Sequence, residues 1–442
     1  MRKLRTYIVL LFLLILPFSG GRARAKEAAA KPTSLEFWFS VNTTGANVME
    51  SIVKDFNASQ ENYHTLVRVF GSQDEVYNEL QMAIATDNAP DLVLLEKTPT
   101  LNLYQKGLTE NLTDRLSQDP TFDEQAYLPA FLQQGILEDG EFFAMSLFGT
   151  TQVLYYNKAA FAETGIAPEQ IHTWLDLAAA AKAIQRAGVC EYGWEPMWGY
   201  ENMVDAALSN GGSIYSDDGR TLLINSQEWI DAWDGFRRWI HEDRTMRIHS
   251  GGHGYEYWNY TRNDVQEGRA GGYTGSSGDQ ADLDPEQIGM MEQPAYLSDK
   301  KARPLAQALL LSILSTSEPE RKDGAFALLR YLTDVPAQVR FSTGTGYIPV
   351  NRDVLQSEEY QAFQETDPYA LIPLMQSLHA SLVPYDPTGG VLRTALTQAA
   401  DQVQIENIPA ADALGEAYRT AQKALDAYWE AVDEANDKKG AP

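Results

Sequence analysis

The chain has 442 residues, with 61 acidic side chains against 35 lysines and arginines and a formal charge of -26. A surface of that sign repels nucleic acid and anionic membrane, both of which are bound through basic patches. The length suffices for two domains, and Cys190, the single cysteine, excludes an intramolecular disulfide, so an apolar core has to hold the fold.

Taken in chain order, Arg2, Lys3 and Arg5 precede an unbroken apolar run from Ile8 to Leu16, and Ala23-Arg24-Ala25 supplies a small-x-small cleavage pattern. The apolar run is far shorter than the ~20 residues that span a hydrocarbon core. The pattern predicts a cleaved signal peptide over residues 1–25 and, with no cysteine after the apolar run, no lipid anchor. The expected product is a soluble periplasmic protein. Removing Arg2, Lys3, Arg5, Arg22 and Arg24, five positive charges and no negative one, takes the formal charge from -26 to -31.

A polar linker over residues 26–33 leads into a predicted strand, Leu35 to Val41. A helix from Asn47 to Phe56 follows, carrying Val48, Ile52 and Phe56 on one stripe. Next come a strand Thr65 to Phe70, a helix Glu75 to Ala85 broken before Pro90, and a strand Leu92 to Leu95. This β-α-β-α-β order is that of a doubly wound α/β sheet, whose ligands bind beyond the carboxyl ends of the strands. Those ends are Ser40 to Thr44, Gly71 to Gln73 and Glu96 to Thr98.

Further on, Val153, Leu154, Tyr155 and Tyr156 read as a buried strand that ends at Asn157-Lys158, where a helix opens. Thr173 is placed to cap the helix beginning Trp174-Leu175, with Asp176 in its first turn. Helices are expected at Asp205 to Leu208, Trp229 to His241, Val265 to Glu267 and Ala410 to Ala435. Trp229, Trp233, Phe236 and Ile240 fall at helical spacing and predict core. The stretch Ile248 to Asp284 is rich in Gly, Tyr, Trp and Asn. It reads either as a flexible surface loop or as a surface presenting aromatics and small hydroxyls to a polyol.

The run Thr151-Gln152-Val153-Leu154-Tyr155-Tyr156-Asn157-Lys158 resembles the start of the second lobe in bacterial extracellular solute-binding proteins, the ligand-catching subunits of ABC importers. The resemblance extends over nearly the whole mature chain. It takes in Gly71-Ser72-Gln73-Asp74-Glu75, Asn88-Ala89-Pro90-Asp91, Phe148-Gly149-Thr150-Thr151, Cys190-Glu191-Tyr192-Gly193-Trp194, Gly199-Tyr200-Glu201-Asn202, Thr343 to Val350 and Leu392-Arg393-Thr394. Within the family the wording is most similar to the glycerol 3-phosphate/glycerophosphodiester-binding proteins. The resemblance implies a two-lobed, Venus-flytrap α/β fold, each lobe a doubly wound sheet with flanking helices. Residues 34–149 and 307–348 would form the first lobe, and 150–306 and 349–442 the second. Strands would cross near Phe148 to Thr151, Leu305 to Leu309 and Tyr347 to Val350.

Carried over position by position, the resemblance implies ligand contacts at Glu96, Thr150, Trp194 or Trp198, Ser276 or Ser277, Tyr347 and Arg393. Gln73 stands where the subgroup has a tyrosine, and Gln307, within Ala306-Gln307-Ala308, where it has a double-glycine turn. Both departures bear on the ligand. The roles are chemically coherent: Glu96 accepts from vicinal hydroxyls, the tryptophan covers an apolar face, and Arg393 pairs with a phosphate in bidentate fashion. The expected function is a monomeric binding subunit for glycerol 3-phosphate or a glycerophosphodiester, delivering it to a membrane permease, with no catalytic residue, metal or cofactor.

A neutral mono- or oligosaccharide is the alternative ligand, favoured by the two glutamines. A secreted glycoside hydrolase is a further reading, but no pattern among the 61 acids selects a facing pair. An adhesin needs no hinge. His249 and His253 lie four apart in a Gly-rich stretch, and zinc, P-loop and nucleophile-elbow motifs are absent from the sequence.

Overall fold

The computed structural model describes residues 31–252 and 254–440. The leader expected over 1–25 lies outside the described residues, as do residues 26–30 of the linker and His253. The linker ends sooner than expected, because Thr33 is already in the first strand, β1 (Thr33–Phe39).

β1 lies between two parallel neighbours, β2 (Tyr63–Val69) and β3 (Leu92–Leu95). Helices Thr43–Ser59 and Gln73–Ala85 connect them. Both helices open earlier than apolar periodicity alone predicts, because a side chain caps each one. Asn42 accepts from the Gly45 amide, and Ser72 from the Glu75 amide. Alternation divides the strand residues between two faces. Phe37, Phe39, Leu92 and Leu94 join one core, and Trp38, Val93 and Leu95 join another with Val76 and Leu80. A sheet covered on both faces suits the parallel pairing of β1 to β3.

Among the described residues seven further strands follow: β4 (Met145–Asn157), β5 (Glu195–Pro196), β6 (Gly272–Ser276), β7 (Ile288–Met291), β8 (Leu305–Ile313), β9 (Ile348–Pro349) and β10 (Ser381–Leu382). β8 enters the first sheet antiparallel to both β3 and β4, giving the order β2-β1-β3-β8-β4. β4 belongs to two sheets. Its first half, Met145 to Thr151, pairs with β8, and its second half, Gln152 to Asn157, pairs with β6 and β7. The strand therefore passes from one lobe to the other at Thr151-Gln152. The expected crossing at Phe148 to Thr151 lies on the first-lobe side of this point.

The second lobe packs around Trp174, Trp194, Trp229, Trp233 and Phe236, with Leu396 and Leu414 from the last two helices, Val391–Gln404 and Ala410–Gly440. Full burial of such side chains contributes ~1.5–3 kcal/mol each. Thr173 caps its helix as expected, accepting from the Asp176 amide at 3.0 Å. Tyr155 is buried and stacks on Tyr273 at 4.9 Å. Cys190 is buried.

Two expectations are corrected. The Gly-rich stretch is neither a loop nor a presenting surface over its second half, because Gly272 to Ser276 form β6, buried along its whole length beside β4. Glycine is required there by close approach: a Cβ on Gly272 would lie 2.1 Å from the Trp194 ring. The second correction concerns the chain after Pro349, expected to lie in the second lobe. Val354 and Tyr360 instead pack on Val339 of the first-lobe helix Val335–Thr345. The chain then crosses behind the hinge, where Gln376 Nε2 donates to the Gln152 carbonyl at 2.5 Å.

Candidate ligand cleft

Between the lobes lies a cleft of about 1040 Å³. The first lobe contributes Asp74, Tyr77, Glu96 and Lys97. The second contributes Trp198, Tyr200, Glu201, Tyr257 and Arg393, and Gln307 comes from the crossing strand β8. As expected from the strand order, Glu96 to Thr98 at the carboxyl end of β3 form part of the wall.

The opening turns of three helices line this cleft: Lys97–Gln105, Glu201–Ser209 and Val391–Gln404. Their cap residues Glu96, Tyr200 and Gly390 give no side-chain cap bond, but the first turns find acceptors elsewhere: the Leu392 amide donates to Thr388 Oγ1 at 3.0 Å, and the Glu201 carboxyl accepts from its own amide and that of Tyr200.

Arg393 stands in the first turn of the last of these helices and reaches the opposite lobe. Its Nη1 is 3.1 Å from Glu96 Oε2 and 3.2 Å from Asp74 Oδ1. Its pKa is raised, chiefly by Glu96, and Tyr200 bonds the same guanidinium. The pair is partly exposed, and exposed ion pairs contribute at most ~1 kcal/mol, so a ligand can displace it. Burial pushes the Glu201 carboxyl upward and lowers the Lys97 amine, which donates to the Val383 carbonyl at 3.1 Å. Trp198 lies edge-on to Tyr257 at 5.0 Å and donates from Nε1 to Asp401 at 2.7 Å.

The structure divides the residues singled out in the sequence. Glu96, Trp198, Gln307 and Arg393 share the cleft wall. Thr150, Ser276 and Ser277 form a separate hydroxyl cluster at the hinge, with Thr150 Oγ1 at 2.8 and 3.2 Å from the two serine oxygens. Tyr347 joins it through Ser276, and burial raises its pKa. Gln73 turns back onto its own lobe, donating to the Ser40 carbonyl at 2.6 Å.

Trp194 is the misplaced member. It is fully buried in the second-lobe core and donates to Thr274 Oγ1 at 2.9 Å, so of the two tryptophans Trp198 faces the cleft. Asp74, Tyr200, Glu201 and Asp401 were missed, whereas Tyr257 is one of the aromatics that the sequence reading offered to a polyol in the stretch Ile248 to Asp284. Asp74 was signalled by its place beyond a strand end, one residue after Gln73. Tyr200 and Glu201 were signalled by their place in a family motif.

A second polar cluster stands apart from the cleft. Glu195, Asp264 and His249 lie together, but Arg247 bonds both carboxyl groups and Arg269 bonds Asp264, so the two acids already have cationic partners. His249, in an irregular segment, has its Nε2 2.9 Å from Asp264 Oδ2 on the helix Glu256–Gln266.

Two α/β lobes joined by shared strands, with a polar and aromatic cleft between them, define a two-lobed ligand-binding protein. Residues 51–367 match the bacterial extracellular solute-binding protein family, and the chain belongs to that family. Among its relatives, the sn-glycerol-3-phosphate-binding periplasmic protein UgpB of Rhizobium meliloti (strain 1021) is 22% identical over 388 residues, 84% of this chain and 87% of the relative. The protein of that name from Escherichia coli O6:K15:H31 (strain 536 / UPEC) is 24% identical over 374 residues, covering 80% and 82%. The same fold is seen in UgpB from Mycobacterium tuberculosis in complex with glycerophosphocholine, at a TM-score of 0.79, 18% identity and coverage of 89% and 98%. It is also seen in the acarbose-binding GacH receptor of Streptomyces glaucescens, at a TM-score of 0.78, 15% identity and the same coverage.

Proposed function

We propose that this protein is the substrate-binding subunit of an ABC importer and captures a phosphorylated glycerol compound, glycerol 3-phosphate or a glycerophosphodiester, between its lobes. The observation that carries the reading is Arg393, which reaches across the cleft from the opening turn of its helix to Glu96 and Asp74 of the other lobe. A guanidinium at a helix amino-terminal end is a group that holds a phosphate. Glu96 and the aromatic wall suit the hydroxyls and carbon faces of a glycerol moiety. The names of the sequence relatives point the same way. Because the ligand touches both lobes, it binds the closed form better and shifts the population toward closure, the form a membrane permease would recognise.

A neutral oligosaccharide is the second reading. It is favoured by the cleft volume, at the upper end for a small-molecule site, and by the tyrosines and tryptophan along the wall. A thermal-shift panel tests the first against the second. Glycerol 3-phosphate or glycerophosphocholine should raise the melting temperature, and Arg393→Ala should remove that rise. A shift with maltotriose and none with either phosphate compound would replace the first reading by the second.

A further inference from the structure

We propose that Asp74 sets the charge of the ligand: by pairing with Arg393 across the lobes it turns the cleft against doubly charged phosphate monoesters and leaves it open to zwitterionic phosphodiesters. The inference rests on the phosphorylated-glycerol reading and selects within it. Among the described residues five carboxyl groups line the cleft, those of Asp74, Glu96, Glu201, Asp386 and Asp401, against two cations, Lys97 and Arg393. Each cation is engaged. Lys97 donates to the Val383 carbonyl, and Arg393 faces Asp74 and Glu96 together.

Glu96 is the acceptor expected for glycerol hydroxyls, and Arg393 alone suffices to match one phosphate charge. Asp74 is the surplus. It stands in the first turn of the helix Gln73–Ala85, largely exposed, at 3.2 Å from the arginine that a phosphate would use. A phosphate monoester carries about -1.5 to -2 near pH 7, so its second charge meets Asp74 with no cation left to offset it. A phosphodiester carries one negative charge, which Arg393 alone can match, and a quaternary ammonium on its head group is attracted by the aromatic rings of Trp198 and Tyr257. Rejection by a like charge next to the attractive group is a common source of specificity.

Calorimetric titration of the full chain and of Asp74→Asn tests this. The wild-type chain should bind glycerophosphocholine at least about tenfold tighter than glycerol 3-phosphate. Asp74→Asn should strengthen glycerol 3-phosphate about tenfold and change glycerophosphocholine less than about threefold. Equal affinity of the wild-type chain for the two compounds, or no gain for glycerol 3-phosphate in Asp74→Asn, would overturn the inference. If neither glycerol compound gives heat and maltose does, the phosphorylated-glycerol reading falls. The charge rule is then read from maltose against maltose 1-phosphate in the same two proteins, and equal binding of that pair overturns it.

Discussion

Thr150 Oγ1 lies 2.8 Å from Ser276 Oγ, so one pair of hydroxyls ties β4 to β6 where the lobes part. Ser276 also accepts from the Gly278 amide at 3.1 Å and bonds Tyr347, and it is only 9% exposed. Ser276→Ala leaves Thr150 with Ser277 but deprives the Gly278 amide and Tyr347 of a partner. The expected cost is ~1–3 kcal/mol, read as a lower urea midpoint. An unchanged midpoint would mean that water replaces the hydroxyl and that the cluster does not brace the hinge.

The two tryptophans of the Trp194 to Trp198 segment should behave oppositely. Trp194 is enclosed by core, and Trp194→Ala should destabilise the chain by ~3–5 kcal/mol. Trp198 covers the cleft, and Trp198→Ala should weaken ligand binding ~10- to 100-fold, while costing much less stability. Denaturation and titration on the same two variants check this. A loss of affinity in the Trp194 variant at full stability would reverse the assignment.

Gly272→Ala should be costly although it adds one methyl group. The new Cβ falls 2.1 Å from the Trp194 ring and 2.6 Å from the Tyr155 carbonyl, and β6 cannot withdraw from β4 without losing its ladder. Overpacking of this kind costs ~1–3 kcal/mol or more. The check is the melting temperature of Gly272→Ala against Gly107→Ala, an open position with nothing near its Cβ but a φ of +69°. The β6 variant should lose more.

Stability should fall as pH rises toward neutrality. Burial pushes Asp205, Asp279 and Glu195 up to about 7, each above its ordinary carboxylate range. Between about pH 4 and 7 the folded chain holds protons that the unfolded chain has released, so each added pH unit favours unfolding, and the slope ends near 7. Asp234 and Asp119 are depressed, held ionised by Arg237 and by Thr121 and Arg330, and their contribution is lost only at lower pH. The melting temperature should therefore be higher at about pH 5.5 than at about pH 8. Asp205, which accepts from the Leu305 amide and from Gln293, offers the cleanest test, since Asp205→Asn should flatten part of that slope. A melting temperature that rises over the same interval would contradict the sign.

The fold was legible where local chemistry and tertiary packing agree. The first three strands, the Thr173 cap and the tryptophan stripe of Trp229 and Trp233 are set by alternation, capping and helical period, and they stand close to where those rules put them. β6 was not legible, because its glycines make room for Trp194 and Tyr273, partners far away in sequence, and the same letters spell a loop. The cleft was half legible. Glu96, Trp198 and Arg393 fall in recognisable words, whereas Asp74 acquires meaning only when the last helices bring Arg393 against it. Trp194 and Trp198 are four residues apart in one turn-rich segment, and only the packing of β5 against β6 decides which faces inward.

The position of β8 has a consequence for how the chain comes into being. This strand fills the centre of the first sheet, between β3 and β4, yet every strand proper to the second lobe, β5 to β7, precedes it in the chain. As the polypeptide is made from its amino end, β3 and the first half of β4 wait with unsatisfied edges until Ile313 has emerged. The helices Pro319–Thr333 and Val335–Thr345 that cover them come later still. Pairings across such long stretches of sequence close slowly, and open edges invite other chains meanwhile. The nascent chain therefore has to be kept from its neighbours until most of it exists, because its first lobe cannot close before the strands of the second have been made.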